Sequence, residues 1–245
     1  MRALLLAVTL AACAADVGGE PEPQGDPADY EEVEWTGPAG KGDFSGIPVT
    51  FDRHNIMSDT VLLAADAVSA PAIQAFLERS PYGTRSWLAD YTMDGRRFSE
   101  VLAEEARIGG IDPVVLLARM QVESSLVSKT ARPGPTTINH ALGCGCPDGA
   151  RCGSQYAGLR SQLACAVDVL HTQLTGSRDG TGQWRLGASR RTLDPVSVTP
   201  HTHATAALYA YTPWVLTGRG GNWLVWNVTR KYLEHFDEAG ALNLP

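Results

Sequence analysis

The sequence has little that points to a β-fold, a nucleic-acid partner or a membrane-spanning domain. Alternation of apolar and polar residues, the pattern of half-buried strands, is nearly absent from the 245 residues. No stripe of basic residues is visible, which argues against nucleic acid as the natural ligand. After the first ten residues there is no apolar run long enough to span a bilayer, and there is no internal repeat.

Apolar residues are present in sufficient number for one sizeable core, since 44% of the chain is hydrophobic and 19% is charged. The formal net charge of −7 is unevenly distributed. The segment between Ala14 and Trp35 holds eight acidic residues and no base. Together with Arg2 this segment accounts for the whole net charge, so the rest of the chain is close to neutral.

The N-terminus has the pattern of a targeting segment. Arg2 is followed by an apolar stretch over residues 3–10, which leads into Leu10-Ala11-Ala12-Cys13. This tetrapeptide resembles the lipobox of bacterial lipoproteins, and the resemblance implies that Cys13 is lipidated and becomes the first mature residue. An ordinary secretory leader is the alternative. Ala14, where an aspartate often signals inner-membrane retention, favours the outer membrane of the cell envelope.

Three regions are expected along the chain. Residues 1–13 would be the lipoprotein signal peptide. Residues 14–45 are acidic, rich in proline and glycine and poor in large apolar groups, so we expect a disordered tether. Residues 46–245 would form the folded domain, with the membrane reached through the lipid on Cys13.

Export changes the interpretation of the remaining cysteines, which are Cys144, Cys146, Cys152 and Cys165. An even number of cysteines in an oxidising compartment predicts two disulfides, and the sequence does not choose among the three pairings. A Cys144–Cys146 bond is the least favoured because such a short loop strains the bond geometry. A four-thiolate zinc site is the alternative, although Cys-x-Cys is not the usual zinc spacing.

Helical periodicity dominates from about residue 50, so the predicted class is mainly α. Five helices are expected beside a central one: one opened by Ser69-Ala70-Pro71, one over 98–108 closed by Gly109-Gly110, one over about 155–174, one over about 202–211 and a last one capped by Asn222 that extends through Phe236. The central helix starts at Asp112-Pro113 and extends to about Val127. It is apolar on nearly every side, which predicts a buried position.

Glu123 is the residue on this helix that could carry chemistry. Apolar surroundings and the negative end of the helix dipole both favour a protonated carboxyl, the form that a general acid needs. Cleavage of a glycosidic bond requires such a group beside the leaving oxygen. The alternative is an ion pair with Arg119, one helical turn earlier, which would keep Glu123 ionised.

The segment 110–126 resembles the catalytic-helix segment of bacterial lysozyme-like enzymes, which include soluble lytic transglycosylases and goose-type lysozymes. It reads Gly-Ile-Asp-Pro-Val-Val-Leu-Leu-Ala-Arg-Met-Gln-Val-Glu-Ser-Ser-Leu. In that superfamily a Glu-Ser pair ends the helix and the glutamate is the acid, and Glu123-Ser124 matches this pair. The resemblance extends from about Asn55 to Phe236 as an order of motifs. It implies a lysozyme-like helical domain with a central buried catalytic helix.

A second segment of this resemblance is 203–213, which is similar to an Ala-Thr-Ala-Leu-Tyr-x-Tyr-Thr-Pro motif of bacterial cell-wall-associated relatives. A helix of this kind lines the cleft in the transglycosylases, so Tyr209 or Tyr211 is expected near Glu123. Two residues apart on a helix, the two rings point in different directions, so at most one of them faces the cleft.

The family's Gly-Leu-Met-Gln segment is altered in this chain. The corresponding loop reads Ala-Leu-Gly-Cys-Gly-Cys-Pro-Asp over 141–148, with the glycine retained and the glutamine missing. Gln121, Ser124 and Asp148 are further candidates for contacts with sugar hydroxyls. Each could instead have no part in sugar binding, and Asp148 could simply be a turn residue in Pro-Asp-Gly.

The predicted function is cleavage of peptidoglycan glycan strands by a glycosidase or lytic transglycosylase, with Glu123 as general acid and without a metal or organic cofactor. The alternative from another class is a non-catalytic glycan-binding or scaffold lipoprotein that keeps the fold. A third possibility, a thiol peptidase, would need a free Cys144 or Cys152.

Overall fold

Helices form most of the regular structure in the computed structural model, which describes residues 40, 42–146 and 153–244. The helices of this part are α1 (Asp59–Leu62), α2 (Ala70–Glu78), α3 (Phe98–Gly109), α4 (Pro113–Ser124), α5 (Pro135–Asn139), α6 (Leu159–Asp179), α7 (His203–Tyr211) and α8 (Gly221–Glu238). The predicted mainly α class is confirmed.

The strands of the described residues are short and form two antiparallel hairpins. They are β1 (Thr92–Met93), β2 (Arg96–Arg97), β3 (Arg190–Arg191) and β4 (Ser197–Val198). In the first hairpin Thr92 lies opposite Arg97. In the second, Arg190 lies opposite Val198.

The helices α2, α4 and α7 start where local capping residues predict. The side chains of Ser69, Asp112 and Thr202 accept hydrogen bonds from the backbone N–H groups of Ala72, Val114 and Thr205, at 3.4, 2.7 and 3.0 Å. Each cap satisfies a donor that the first helical turn leaves without a partner.

The predicted C-terminal ends are only partly correct. Helix α3 ends with Gly110 in the left-handed conformation, as expected. Helix α4 ends at Ser124, three residues before Val127, because Ser125 has a φ of +53°. The side-chain amide of Gln121 then bonds both the backbone N–H and the hydroxyl of Ser128, and this pair of bonds turns the chain away from the helix axis.

Helix α4 lies at the centre of the core, as its apolar sequence predicts. Every residue from Pro113 to Gln121 is buried. It packs against α8, α3 and α6, and α6 in turn packs against α7 and α3. Near its end, α4 meets α7 where Arg119 stacks on Tyr211, and it meets the loop before α6 where Ser124 bonds the carbonyl oxygen of Ala141.

The folded region begins earlier than the predicted boundary at residue 46. Phe44 is 7% exposed and belongs to the core. The buried guanidinium of Arg230 donates to the carbonyl oxygens of Gly40 and Gly42, at 2.6 and 2.5 Å, and to that of Ile47 at 3.2 Å. The last residues of the expected tether are thus part of the domain, while the expected signal peptide, Cys13 and the rest of the expected tether lie outside the described residues.

A disulfide links the loop before α6 to α6 itself. Cys144 and Cys165 are bonded, with their Cα atoms 6.0 Å apart. Cys146 is also disulfide-bonded, and Cys152 lies outside the described residues. The Cys144–Cys165 bond rules out a four-thiolate zinc site and a nucleophilic Cys144.

In the same described ranges, no helix combines the length and apolar character needed to cross a membrane.

Candidate active site

Glu123 lies at the last turn of α4, where the buried helix reaches the surface. Its side chain is 24% exposed, whereas the preceding residues of the helix up to Gln121 are buried. The carboxyl group is therefore held by a rigid element and remains reachable from solvent. This is the placement that a proton donor for an external substrate requires.

Arg119 forms the ion pair that the i,i+4 spacing predicts. Its Nη2 lies 2.5 Å from Oε1 of Glu123, and its side chain is fully buried. The Nε and Nη1 atoms of Arg119 have no hydrogen-bond partner among the described residues. A charge-assisted bond of this kind stabilises the carboxylate form of its partner.

Tyr211 completes the inner wall of the site. The guanidinium of Arg119 stacks on its ring, with Cζ 3.9 Å from the ring centroid. The Tyr211 hydroxyl donates a hydrogen bond of 2.9 Å to the carbonyl oxygen of Leu142. Burial raises the pKa of Tyr211 well above its ordinary value, so the phenol stays neutral.

Gly143 brings its backbone against the carboxylate of Glu123. Its φ is +65°, and a Cβ atom built there would lie 3.1 Å from Oε2 of Glu123. Glycine suits this position because its backbone adopts a positive φ without strain and no side chain crowds the carboxylate. The glycine that the altered loop retains is thus a direct neighbour of the candidate acid.

Gln162 on α6 holds this loop in place, and sequence reasoning did not find it. Its Oε1 accepts from the backbone N–H groups of Leu142 and Cys144, both at 3.1 Å. Its Nε2 donates to the carbonyl oxygens of Cys144 and Tyr156, at 2.7 and 2.9 Å. A polar residue on the otherwise apolar stripe of α6 was the available signal.

Gln121 and Ser124 bond protein groups at the end of α4. Gln121 is fully buried and both ends of its amide bond Ser128, so it cannot contact a sugar, contrary to the prediction. The Ser124 hydroxyl lies 2.8 Å from the carbonyl oxygen of Met120 and 2.9 Å from that of Ala141. The bond to Ala141 holds the end of the helix against the loop.

The two tyrosines of α7 point to different parts of the molecule, as their spacing predicts. Tyr211 lies beside Glu123, whereas Tyr209 is fully buried and stacks on Trp184 with ring centroids 5.0 Å apart. Burial raises the pKa of Tyr209 as well. A place for Tyr209 in the site is therefore wrong, and Asp148 lies outside the described residues.

The structure thus assembles Glu123, Arg119, Tyr211 and the backbone of Gly143 around one carboxyl group. Over residues 42–146 and 153–244, no group of three or more His, Cys, Asp or Glu side chains is arranged to hold a metal ion. The chemistry that this arrangement offers is proton transfer at a partly exposed carboxyl.

Comparisons with protein-family models, with curated proteins and with solved structures find no match to this chain.

Proposed function

We propose that the protein cleaves the glycan strands of peptidoglycan between amino sugars, with Glu123 as the proton donor. The observation that supports this most is the partly exposed carboxyl group of Glu123 at the end of a buried helix, against Tyr211 and the Gly143 backbone. Rigid elements hold all three groups, which favours a preorganised site. The reaction needs no metal or organic cofactor.

In the proposed reaction, the protonated Glu123 transfers its proton to the glycosidic oxygen while the bond from that oxygen to the anomeric carbon breaks. The leaving sugar departs as an alcohol, and the positive charge that develops on the other sugar is relieved by a nucleophile. Water as nucleophile gives a reducing end, and the substrate's own hydroxyl gives an anhydro end. The nucleophile loses a proton to solvent as its bond to the anomeric carbon forms, and the carboxylate that remains on Glu123 recovers a proton from solvent.

The leader extends this proposal to the cell envelope. With Cys13 lipidated, the domain would be exported and anchored beside the peptidoglycan, on the outer membrane where there is one. The substrate would then be a large polymer that cannot diffuse, and an enzyme on a tether would meet it directly.

A non-catalytic glycan-binding or scaffold lipoprotein is the second candidate, and one observation favours it. The ion pair between Arg119 and Glu123 stabilises the ionised carboxylate, which is not the form that donates a proton. In this case the same site would bind sugar hydroxyls and release no product.

Purified peptidoglycan incubated with the wild type and with Glu123→Gln separates the two functions. We expect soluble muropeptides from the wild type and a loss of about 100-fold or more in the variant, since glutamine cannot donate the proton. Mass spectrometry of the products distinguishes anhydro ends, from a transglycosylase, from reducing ends, from a hydrolase.

Glu105→Gln is the matched control for this experiment. Glu105 on α3 is also a partly buried glutamate in an ion pair with an arginine, since its Oε1 lies 2.9 Å from Nη1 of Arg160. This variant should keep wild-type activity. Absence of products from every protein, together with retained binding to insoluble peptidoglycan, would support the binding module instead.

A further inference from the structure

Arg119 is a fully buried cation whose burial its hydrogen bonds do not explain. Its side chain is 0% exposed, and only one of its three nitrogen atoms has a hydrogen-bond partner among the described residues. Burial of a charge costs solvation energy, and an apolar side chain of similar size is often as stable or more stable in such a place. The stability of the core therefore gives no reason for an arginine at this position.

The contacts of Arg119 connect α4 with α7 beside Glu123. Its guanidinium bonds the carboxylate on one side and stacks on the ring of Tyr211 on the other. The Tyr211 hydroxyl in turn donates a hydrogen bond to the carbonyl oxygen of Leu142, next to Gly143. The guanidinium of Arg119 thus lies between α4 and α7, and through Tyr211 it is linked to the loop that borders the carboxylate.

We propose that Arg119 is a positioning residue, which holds the Glu123 carboxyl group in one orientation toward the substrate and stabilises the carboxylate that each proton transfer leaves on it. This inference rests on the proposed function, since it assigns a part of the same reaction. A carboxyl group freed from this contact would sample several rotamers, and misplacement by about 1 Å can lower a rate about 100-fold.

The charge of Arg119 also predicts the direction of a change with pH. Arg119 on its own helix and Tyr211 on α7 are two titratable side chains that the structure places against Glu123. Tyr211 remains neutral over the working range, so Arg119 supplies the charge of this pair of neighbours. A cation favours the carboxylate, so its removal should let Glu123 keep its proton to higher pH.

The variants Arg119→Met and Arg119→Lys test the proposal in the full mature chain. Arg119→Met keeps the length of the side chain without its charge, and we expect kcat to fall at least tenfold with little change in KM. The descending limb of the pH–rate profile should move to higher pH. Arg119→Lys keeps the charge but not the planar stacking on Tyr211, so it should restore the pH profile and only part of kcat.

Arg96→Met is the matched control, because Arg96 forms an ion pair of the same length, 2.5 Å, with Glu104 away from the site. It should leave kcat and the pH profile unchanged. Circular dichroism establishes that each variant is folded, and Arg119→Lys carries the kinetic test if Arg119→Met does not fold. Wild-type kcat with an unchanged pH profile in the folded Arg119 variants would overturn the proposal.

A second measurement does not depend on activity. In protein labelled with ¹³C at the glutamate carboxyl carbon, the Glu123 signal is assigned by its loss in Glu123→Gln and followed by NMR against pH. We expect it to titrate at higher pH in Arg119→Met than in the wild type, and the same titration in both proteins would refute the coupling. Wild-type protein that releases no muropeptides would instead refute the proposed function, so the two failures are distinguishable.

Discussion

At the scale of single residues, Gly143 is the neighbour of Glu123 whose role is easiest to isolate. The left-handed backbone and the closeness of Glu123 Oε2 are two separate reasons for glycine at this position. We expect Gly143→Ala to lower the rate of muropeptide release at least tenfold, because the new methyl group displaces the carboxylate. Its free energy of unfolding should also fall by about 1 kcal/mol from the strained φ.

Gly95→Ala separates these two effects. Gly95 has a φ of +76°, and a Cβ atom at that position would have no neighbour within 4 Å. Urea denaturation should show a similar loss of stability in both variants, while only Gly143→Ala loses activity. Equal activity of the two variants would show that the contact with Glu123 does not matter.

The residues of the site differ in how far the sequence could predict them. Glu123 was predictable because a carboxyl group on an apolar helix is conspicuous, and its pairing with Arg119 follows from helical spacing. The choice between Tyr209 and Tyr211 was not predictable, since it depends on how α7 is rotated against α4. Gln121 was wrongly predicted to contact a sugar, because its actual partner, Ser128, follows the predicted end of the helix at about Val127.

At the scale of the element, the start of α4 holds a second unusual carboxyl group. Asp112 caps the helix through a bond of 2.7 Å from the Val114 N–H, and its Oδ2 has no partner among the described residues. Burial raises the pKa of Asp112 from 3.8 to about 8, against the smaller opposing effect of the backbone hydrogen bonds. The folded chain therefore keeps a proton that the unfolded chain releases at lower pH.

This difference predicts that Asp112 makes stability fall as pH rises. Below pH 3.8 both states hold the proton, and between about 3.8 and 8 only the folded state does, so unfolding releases a proton. The free energy of unfolding then decreases by at most about 1.4 kcal/mol per pH unit from this group. Asp112→Asn keeps the cap and should remove this slope, so its stability relative to the wild type should increase from pH 4.5 to 8.

Urea denaturation at several pH values measures the difference between the two proteins. Other titrating groups contribute equally to both, so the difference isolates Asp112. A constant difference in stability between the two proteins across this range would contradict the assignment.

The starts of α2, α4 and α7 were the most predictable, because a cap such as Ser69, Asp112 or Thr202 bonds a group only two or three residues away. Helix α6 starts at Leu159 and not at about 155, and α8 starts at Gly221, before the predicted cap Asn222. The ends of the helices were less predictable. Helix α4 stops at Ser124 because Gln121 and Ser128 bond each other, and α6 extends to Asp179, beyond the predicted end at 174.

At the scale of the whole molecule, the N-terminal boundary of the domain is set by contacts with its last helix. Arg230 on α8 binds the carbonyl oxygens of Gly40 and Gly42, and Phe44 packs into the core. A chain that starts at Gly46 loses these contacts and leaves the buried Arg230 with two of its five hydrogen bonds, those to Ile47 and Pro48. We expect it to be less stable than a chain that starts at Gly40 by about 3 kcal/mol or more.

Thermal or urea denaturation of the two truncated chains, prepared with the same N-terminal tag, tests this boundary. The chain that starts at Gly40 should have the same denaturation midpoint as the full chain. Equal midpoints for the two truncated chains would mean that the domain starts at residue 46 after all.

The sequence by itself determined the mainly α class, the starts of α2, α4 and α7, the buried character of α4 and the position of Glu123 on it. These features depend on residues within about one helical turn of each other, and so local patterns are sufficient. Only the tertiary structure decided the Cys144–Cys165 pairing, the approach of Tyr211 and Gly143 to the carboxyl group, the support of the loop by Gln162 and the start of the domain before residue 46. Each of these contacts joins residues about 20 or more positions apart, and it forms only when whole helices pack against one another.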